Sequence, residues 1–182
     1  GKNFLYVVHN GKSIKVQRVQ DPDFQLTGYF AKTARKCPPF CIHPLTIAPG
    51  VETIGEVEIF EFMEGVLPDD KGMLIDARTP KWFKRSNIPG SVNYPFSVLS
   101  DGPDEPEMVK ALETFGAERR GTVGAVDRWL EKKGFMDGDL KSDKWDFSNA
   151  KELVLWCNGP ACDQSPRAIE GLLNVGYPAE KL

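Results

Sequence analysis

The sequence predicts an α/β sandwich with a largely parallel central sheet, carrying an N-terminal β-hairpin appendage. Three observations carry that reading. Strand-like apolar runs alternate with helical patterns over most of the chain. One such run, Met73-Leu74-Ile75, ends in Asp76-Ala77-Arg78, and another, Leu153-Val154-Leu155-Trp156, ends at Cys157. The 182 residues, 41% hydrophobic and 27% charged, are enough for one good core with a small appendage.

From the N-terminus, Phe4 to Val8 and Ser13 to Val19 alternate apolar with polar residues around Asn10-Gly11, a strong hairpin signal. Residues 20 to 51 are rich in breakers (Pro22, Gly28, Pro38, Pro39, Pro44, Pro49, Gly50) and read as a linker or strap. We therefore divide the chain into a hairpin and strap, residues 1–52, and a main domain, residues 53–182. The main domain opens with a capping box of Thr53 and Glu56, then a helix with Ile59, Phe62, Met63 and Val66 on one face and Gly65 near its stop.

After the Asp76 strand and a polar helical turn around Trp82, Ile88-Pro89-Gly90 leads into a second short strand, Ser91-Val92-Asn93-Tyr94. Glu105 to Phe115 places Met108, Leu112 and Phe115 on one helical face. Thr122 to Lys133 does the same with Val123, Val126 and Leu130, so both helices are expected to cover the sheet. Residues 136 to 149 read as a polar loop, and Lys151 to Trp156 as a return to strand. Ser165 followed by Pro166 reads as an N-cap and first helical position. The helix continues to Val175 with Ile169, Leu172 and Leu173 inward and Gly176 as its stop.

Cys157 thus opens a tight loop, Cys157-Asn158-Gly159-Pro160-Ala161-Cys162-Asp163-Gln164-Ser165, between a strand end and a helix start. Unpaired amides and the positive end of the helix dipole favour an anion there, which lowers a thiol pKa and makes the sulfur a nucleophile. In open α/β sheets ligands bind beyond the carboxyl ends of the strands, where both Cys157 and the Asp76/Arg78 pair fall. A buried, inert cysteine is the bland alternative.

The apolar run ending in Asp76-x-Arg78, the Ile88-Pro89-Gly90 turn with its short strand, the Cys157 loop and Gly176-Tyr177-Pro178 occur in the order of the rhodanese (sulfurtransferase) domain. Over residues 53 to 182 the chain resembles that family. The resemblance implies a three-layer sandwich and a persulfide carried on Cys157. The donor would be a small sulfur-containing anion or a protein persulfide, the acceptor a thiol, and no cofactor is implied. Asn158 to Ser165 would aim amides at the sulfur, with Gly159 permitting the bend and Ser165 adding a hydroxyl. Asp76 and Arg78 would act as structural support through a buried ion pair. Arg167 is a further supporting candidate whose direction helical position does not decide.

Three departures from the family pattern matter. The loop is longer than usual and has no basic residue before Arg167, while Asp163 would repel a dianion such as thiosulfate. Cys162 is close enough in sequence to resolve, or to pair with, Cys157. The sequence stops at Leu182, where the family pattern continues into another strand and helix, so those elements are expected to be missing, either because the sequence is cut short or because the sheet is completed differently. A related phosphatase loop, Cys-x5-Arg, is disfavoured because Cys162 and Asp163 stand in that region. A dithiol redox module using Cys157 and Cys162 is the alternative function.

Four cysteines in two close pairs suit an oxidising compartment, giving a periplasmic or otherwise extracytoplasmic expectation. For Cys37 and Cys41, a disulfide and two free thiols both stay open. Zinc fits less well, because two prolines follow Cys37 and the second pair sits in the reactive loop. His9 lies at the hairpin turn and His43 precedes Pro44, neither with the company a metal ligand or catalytic base needs. A net charge of −3 without a clustered basic face argues against nucleic acid, and no apolar stretch approaches a membrane span. Oligomeric state is not legible in these residues.

Overall fold

In the computed structural model, which describes residues 2–28, 46–134, 140–159 and 162–182, the chain is a mixed α/β fold with a parallel three-stranded sheet and an N-terminal antiparallel hairpin. The hairpin joins β1 (Phe4–His9) to β2 (Lys12–Gln17), with His9 opposite Lys12. Asn10 and Gly11 both take positive φ, 50° and 73°, as a two-residue turn matched to strand twist requires. The hairpin is seated on the rest of the molecule. Leu5 and Val7 are buried with Phe62 and Met63 of α1 (Glu56–Gly65), and the Gly90 amide donates to His9 Nδ1 at 3.2 Å.

The central sheet has the order β4-β3-β7, all parallel: β3 (Gly72–Asp76) lies between β4 (Ser91–Asn93) and β7 (Glu152–Trp156). Its apolar runs follow from burial on both faces, with successive side chains pointing to opposite sides. Leu74, Val154 and Trp156 join the cluster under α1 and the hairpin. Met73, Ile75, Leu153 and Leu155 join the opposite cluster, with Met108, Leu112 and Leu172. Those last residues belong to α4 (Pro106–Thr114) and α6 (Gln164–Asn174), and α3 (Phe96–Leu99) lies between the two, giving three layers. Contact of α6 with α3 is close: a Cβ on Gly171 would stand 2.0 Å from the Leu99 carbonyl oxygen.

Several expectations are corrected. Helix α1 is capped two residues later than predicted, with Gly55 at the N-cap, its amide donating to the Glu58 carboxylate at 2.9 Å. Only half of a capping box forms, Glu58 reaching back to the Gly55 amide while Gly55 has no side chain to return the bond, and it is not Thr53 with Glu56. Helix α5 (Ala125–Lys132) does not cover the sheet: Val126 is 69% and Trp129 56% exposed. It is tied instead by Glu131 accepting from Arg120 Nη2 at 2.5 Å.

The predicted polar loop at 136–149 contains two of the largest core side chains, Trp145 and Phe147, both fully buried. Trp145 belongs to β6 (Trp145–Asp146), which pairs antiparallel with β5 (Glu118–Arg119). Two-residue strands are too short for alternation to reveal. The turn around Trp82 is the short helix α2 (Pro80–Arg85). Cys37, Cys41 and His43, and with them the disulfide reading, lie outside the described residues.

Candidate active site at the carboxyl ends of β3 and β7

Parallel register puts Asp76 directly beside Trp156, so the segments leaving β3 and β7 start side by side. The first is a closed polar knot. Asp76 Oδ1 accepts from the Arg78 amide and from Arg78 Nε, both at 2.9 Å, and Oδ2 accepts from Nη2 at 2.6 Å. Nη2 also donates to the Ser86 carbonyl at 2.6 Å, and the guanidinium stacks 4.3 Å over the Trp156 ring. Asn93 bridges the Asp76 and Arg78 carbonyls at 2.9 and 2.8 Å, and Trp156 Nε1 donates to Ser91 Oγ at 3.0 Å. A buried charge pair is tolerable only when its remaining donors and acceptors are satisfied in this way.

The second segment is the cysteine loop. Helix α6 starts at Gln164 with Asp163 as its N-cap residue, so the predicted N-cap at Ser165 is corrected: Ser165 is the second helical residue and Pro166 the third. Proline is accepted there because first-turn amides have no intrahelical acceptor. The shift has a chemical consequence. Ser165 makes no side-chain cap, and its hydroxyl donates to Cys157 Sγ at 3.2 Å.

Burial of the Cys157 sulfur opposes its ionisation. Hydrogen bonds from the Cys162 thiol, the Ser165 hydroxyl and the amides of Ser165 and Gly159 outweigh that and hold the thiol pKa below its ordinary value. Gly159, at φ 138°, occupies a region that side chains disfavour, which lets the loop fold back so that the Cys162 amide reaches the Gly159 carbonyl at 2.9 Å. Cys162 behaves oppositely. Its burial, followed by its hydrogen bond to Cys157, raises its pKa. Both cysteines are free thiols, and both are half-buried.

Asn158 spans the loop: its amide nitrogen donates to Gln164 Oε1 at 3.2 Å and reaches Cys162 Sγ at 3.8 Å, while its Oδ1 lies 3.5 Å from Arg78 Nη1. It thereby links the loop to the polar knot. Pro160 and Ala161 lie outside the described residues. Arg167 turns away from the sulfur, its guanidinium 4.5 Å over the Phe96 ring and 3.9 Å from the Asp163 carboxylate. Cys162 and Ser165 open on a groove of about 420 Å³ walled by Val51, Ile54, Ile59 and Ile169.

The site residues that sequence reading missed are the braces: Trp156 as the plate under Arg78, with Ser86, Ser91 and Asn93. Among the described residues, no three His, Cys, Asp or Glu side chains gather as metal ligands, and no helix is long and apolar enough to cross a membrane. The arrangement can stabilise a sulfur anion with neutral donors and place a second thiol against it.

No curated protein and no solved structure matches the chain. The family model described as rhodanese-like domain matches residues 63–179, a span that holds the parallel sheet, the Asp76–Arg78 knot and the whole cysteine loop. Sheet, knot and loop thus lie inside one matched unit covering well over half of the sequence, and the chain belongs to the rhodanese-like domain family.

Proposed function

We propose that the protein is a sulfurtransferase in which Cys157 carries sulfane sulfur as a persulfide, taken from thiosulfate, polysulfide or a protein persulfide and passed to a thiol. One observation carries this reading: Cys157 Sγ accepts from the Ser165 hydroxyl at 3.2 Å and from the amides of Gly159 and Ser165, which favour its thiolate. The thiolate attacks the outer sulfur of the donor. The donor's sulfur–sulfur bond breaks, and the leaving group (sulfite when thiosulfate is the donor) departs with the electron pair. An acceptor thiolate then attacks the outer sulfur of the persulfide, and Cys157 leaves as thiolate. The same donors that favour the resting thiolate serve the persulfide anion and the departing sulfur.

The donor set is neutral. Arg78 is engaged by Asp76 and Arg167 by Phe96 and Asp163, so a dianion gains less here than in a loop that presents a cation. A donor of lower charge, the hydropolysulfide monoanion or a protein persulfide, is accordingly the preferred donor class over thiosulfate. Intact mass measurement after exposure to each donor tests the reading. Uptake of one sulfur on Cys157, removable by cyanide, supports it; neither uptake nor sulfide release from any donor, in wild type and in Cys162→Ser, sinks it.

A second reading, a dithiol–disulfide module without sulfur transfer, is favoured by the two free thiols on one bent loop, with Cys157 Sγ 3.7 Å from the Cys162 carbonyl oxygen. Loss of two hydrogens with neither sulfur gain nor released sulfide would select it. The extracytoplasmic reading rests on the cysteine pairs of the sequence, and fractionation of cells expressing the chain tests it.

A further inference from the structure

We infer that Cys162 is a resolving thiol: once Cys157 carries a sulfur, Cys162 closes a disulfide with it and expels the carried sulfur as hydrogen sulfide. The inference rests on the persulfide reading above and adds a sulfane-sulfur reductase activity to it.

Three features of the loop support the assignment. The two cysteines are brought together by the Gly159 bend, so that the Cys157 thiol reaches the Cys162 carbonyl oxygen at 3.7 Å and each thiol influences the ionisation of the other. The loop amides are shared between two sulfurs. Those of Gly159 and Ser165 serve Cys157, and those of Asn158 and Gln164 serve Cys162, so the second sulfur also has a cradle for its anion. Third, Cys162 is not interred among hydrocarbon as an inert cysteine would be. Its thiol lies 3.5 Å from Gln164 Oε1 and 3.8 Å from Asn158 Nδ2, and it lines the groove, where an outside reductant can reach it.

The step balances within the loop. Cys162 Sγ attacks Cys157 Sγ, forming the Cys157–Cys162 bond. The bond between Cys157 Sγ and the outer sulfur breaks, and the outer sulfur leaves with the electron pair. The proton lost by Cys162 ends on that sulfur, giving hydrosulfide. The two cysteine sulfurs are oxidised to a disulfide while the sulfane sulfur is reduced to sulfide. An external thiol or protein dithiol then reduces the disulfide, attacking Cys162 from the groove. Because both partners sit on one bent loop, closure competes with transfer to a free acceptor by proximity.

Wild type and Cys162→Ser are loaded anaerobically with polysulfide, separated from it by gel filtration, and followed by intact mass and by assay of released sulfide. The expected result is that wild type loses its added sulfur, ends two hydrogens lighter than the dithiol and releases one sulfide per chain. Cys162→Ser, and Cys162→Ala beside it, should hold the persulfide about tenfold longer or more. If wild type keeps its sulfur as long as the variants, or forms the disulfide without releasing sulfide, the resolving role is overturned while Cys157 remains a carrier. If neither wild type nor variants take up sulfur, the carrier reading fails and the inference falls with it.

Discussion

Two segments leave adjacent parallel strands of one sheet at the same level, and they are built on opposite principles. The Asp76–Arg78 knot carries full charges, is buried, and satisfies those charges internally, with Asp76 fully enclosed and its arginine clamped between Trp156 and the Ser86 carbonyl. The Cys157–Ser165 loop presents neutral donors and leaves its sulfur half-buried. A charge locked on all sides holds geometry. A thiol held by amides and a hydroxyl, at the edge of solvent, holds reactivity. The molecule separates the two tasks by only the width of a strand pair and joins them through Asn158.

The largest effect that tests this contrast is the loss of the sulfur itself. Cys157→Ser is expected to cut sulfur uptake on the order of 10⁴-fold or more, since removing a nucleophile removes the reaction path. It should shift unfolding stability by less than about 1 kcal/mol, because the site is only half-buried. Rates from donor consumption, with urea melts alongside, check both halves. A large stability loss with retained uptake would reverse the roles assigned to the two segments.

The mirror experiment is Asp76→Ala. Removing one member of a buried pair strands the other charge, and such losses run about 3–5 kcal/mol. Urea denaturation should show that loss, while the fraction still folded takes up sulfur at a rate much nearer wild type than Cys157→Ser allows. If instead Asp76→Ala leaves stability intact and abolishes uptake, the knot is part of the chemistry and the contrast fails.

Ser165→Ala acts inside the loop. A hydrogen bond to a charged acceptor is worth about 1.5–3 kcal/mol, so its loss should slow alkylation of Cys157 about tenfold at a pH below the thiol's midpoint. The sign follows from the depressed pKa of Cys157. Removing a donor that favours the thiolate raises the midpoint, lowers the thiolate fraction at fixed pH, and leaves the high-pH plateau unchanged. A pH series of iodoacetamide rates on the wild type and the variant, each in a Cys162→Ser background, isolates the hydroxyl's contribution.

What the sequence carries of this arrangement is local. Met73 to Ile75 and Leu153 to Leu155 are apolar because both sheet faces are covered, and a charged pair or a cysteine at the end of such a run stands out at once. The Asn10-Gly11 turn is legible for the same reason, since its backbone demands are met by its own residues. The braces are not local. Arg78 meets Asn158 across 80 positions and Trp156 meets Ser91 across 65, and no periodicity announces such pairings. The cap at α6 was one step beyond sequence reading as well: Ser165 satisfies the rule for an N-cap, yet its hydroxyl is taken by the sulfur. Trp145, in a strand of two residues, and Phe147, just past its end, are hidden among polar neighbours.

The smallest effect belongs to Arg167, the basic residue nearest in sequence to the loop on its helical side. Its guanidinium lies over Phe96 and 3.9 Å from Asp163, with about half of the arginine side chain and most of the aspartate exposed. An exposed ion pair of that kind contributes less than about 1 kcal/mol, and a solvent-facing cation–π contact adds a similar amount. Arg167→Ala should therefore cost no more than about 1–2 kcal/mol in a urea melt. Cys157 alkylation and uptake from polysulfide should stay within about twofold of wild type, since the side chain donates nothing to the sulfur. Thiosulfate gives the sharper reading, because a dianion responds most strongly to any cation in the loop. If Arg167→Ala slowed uptake from thiosulfate tenfold while leaving polysulfide untouched, the arginine would swing from Phe96 to the donor during the reaction. The loop would then share the charge-based logic of the knot beside it.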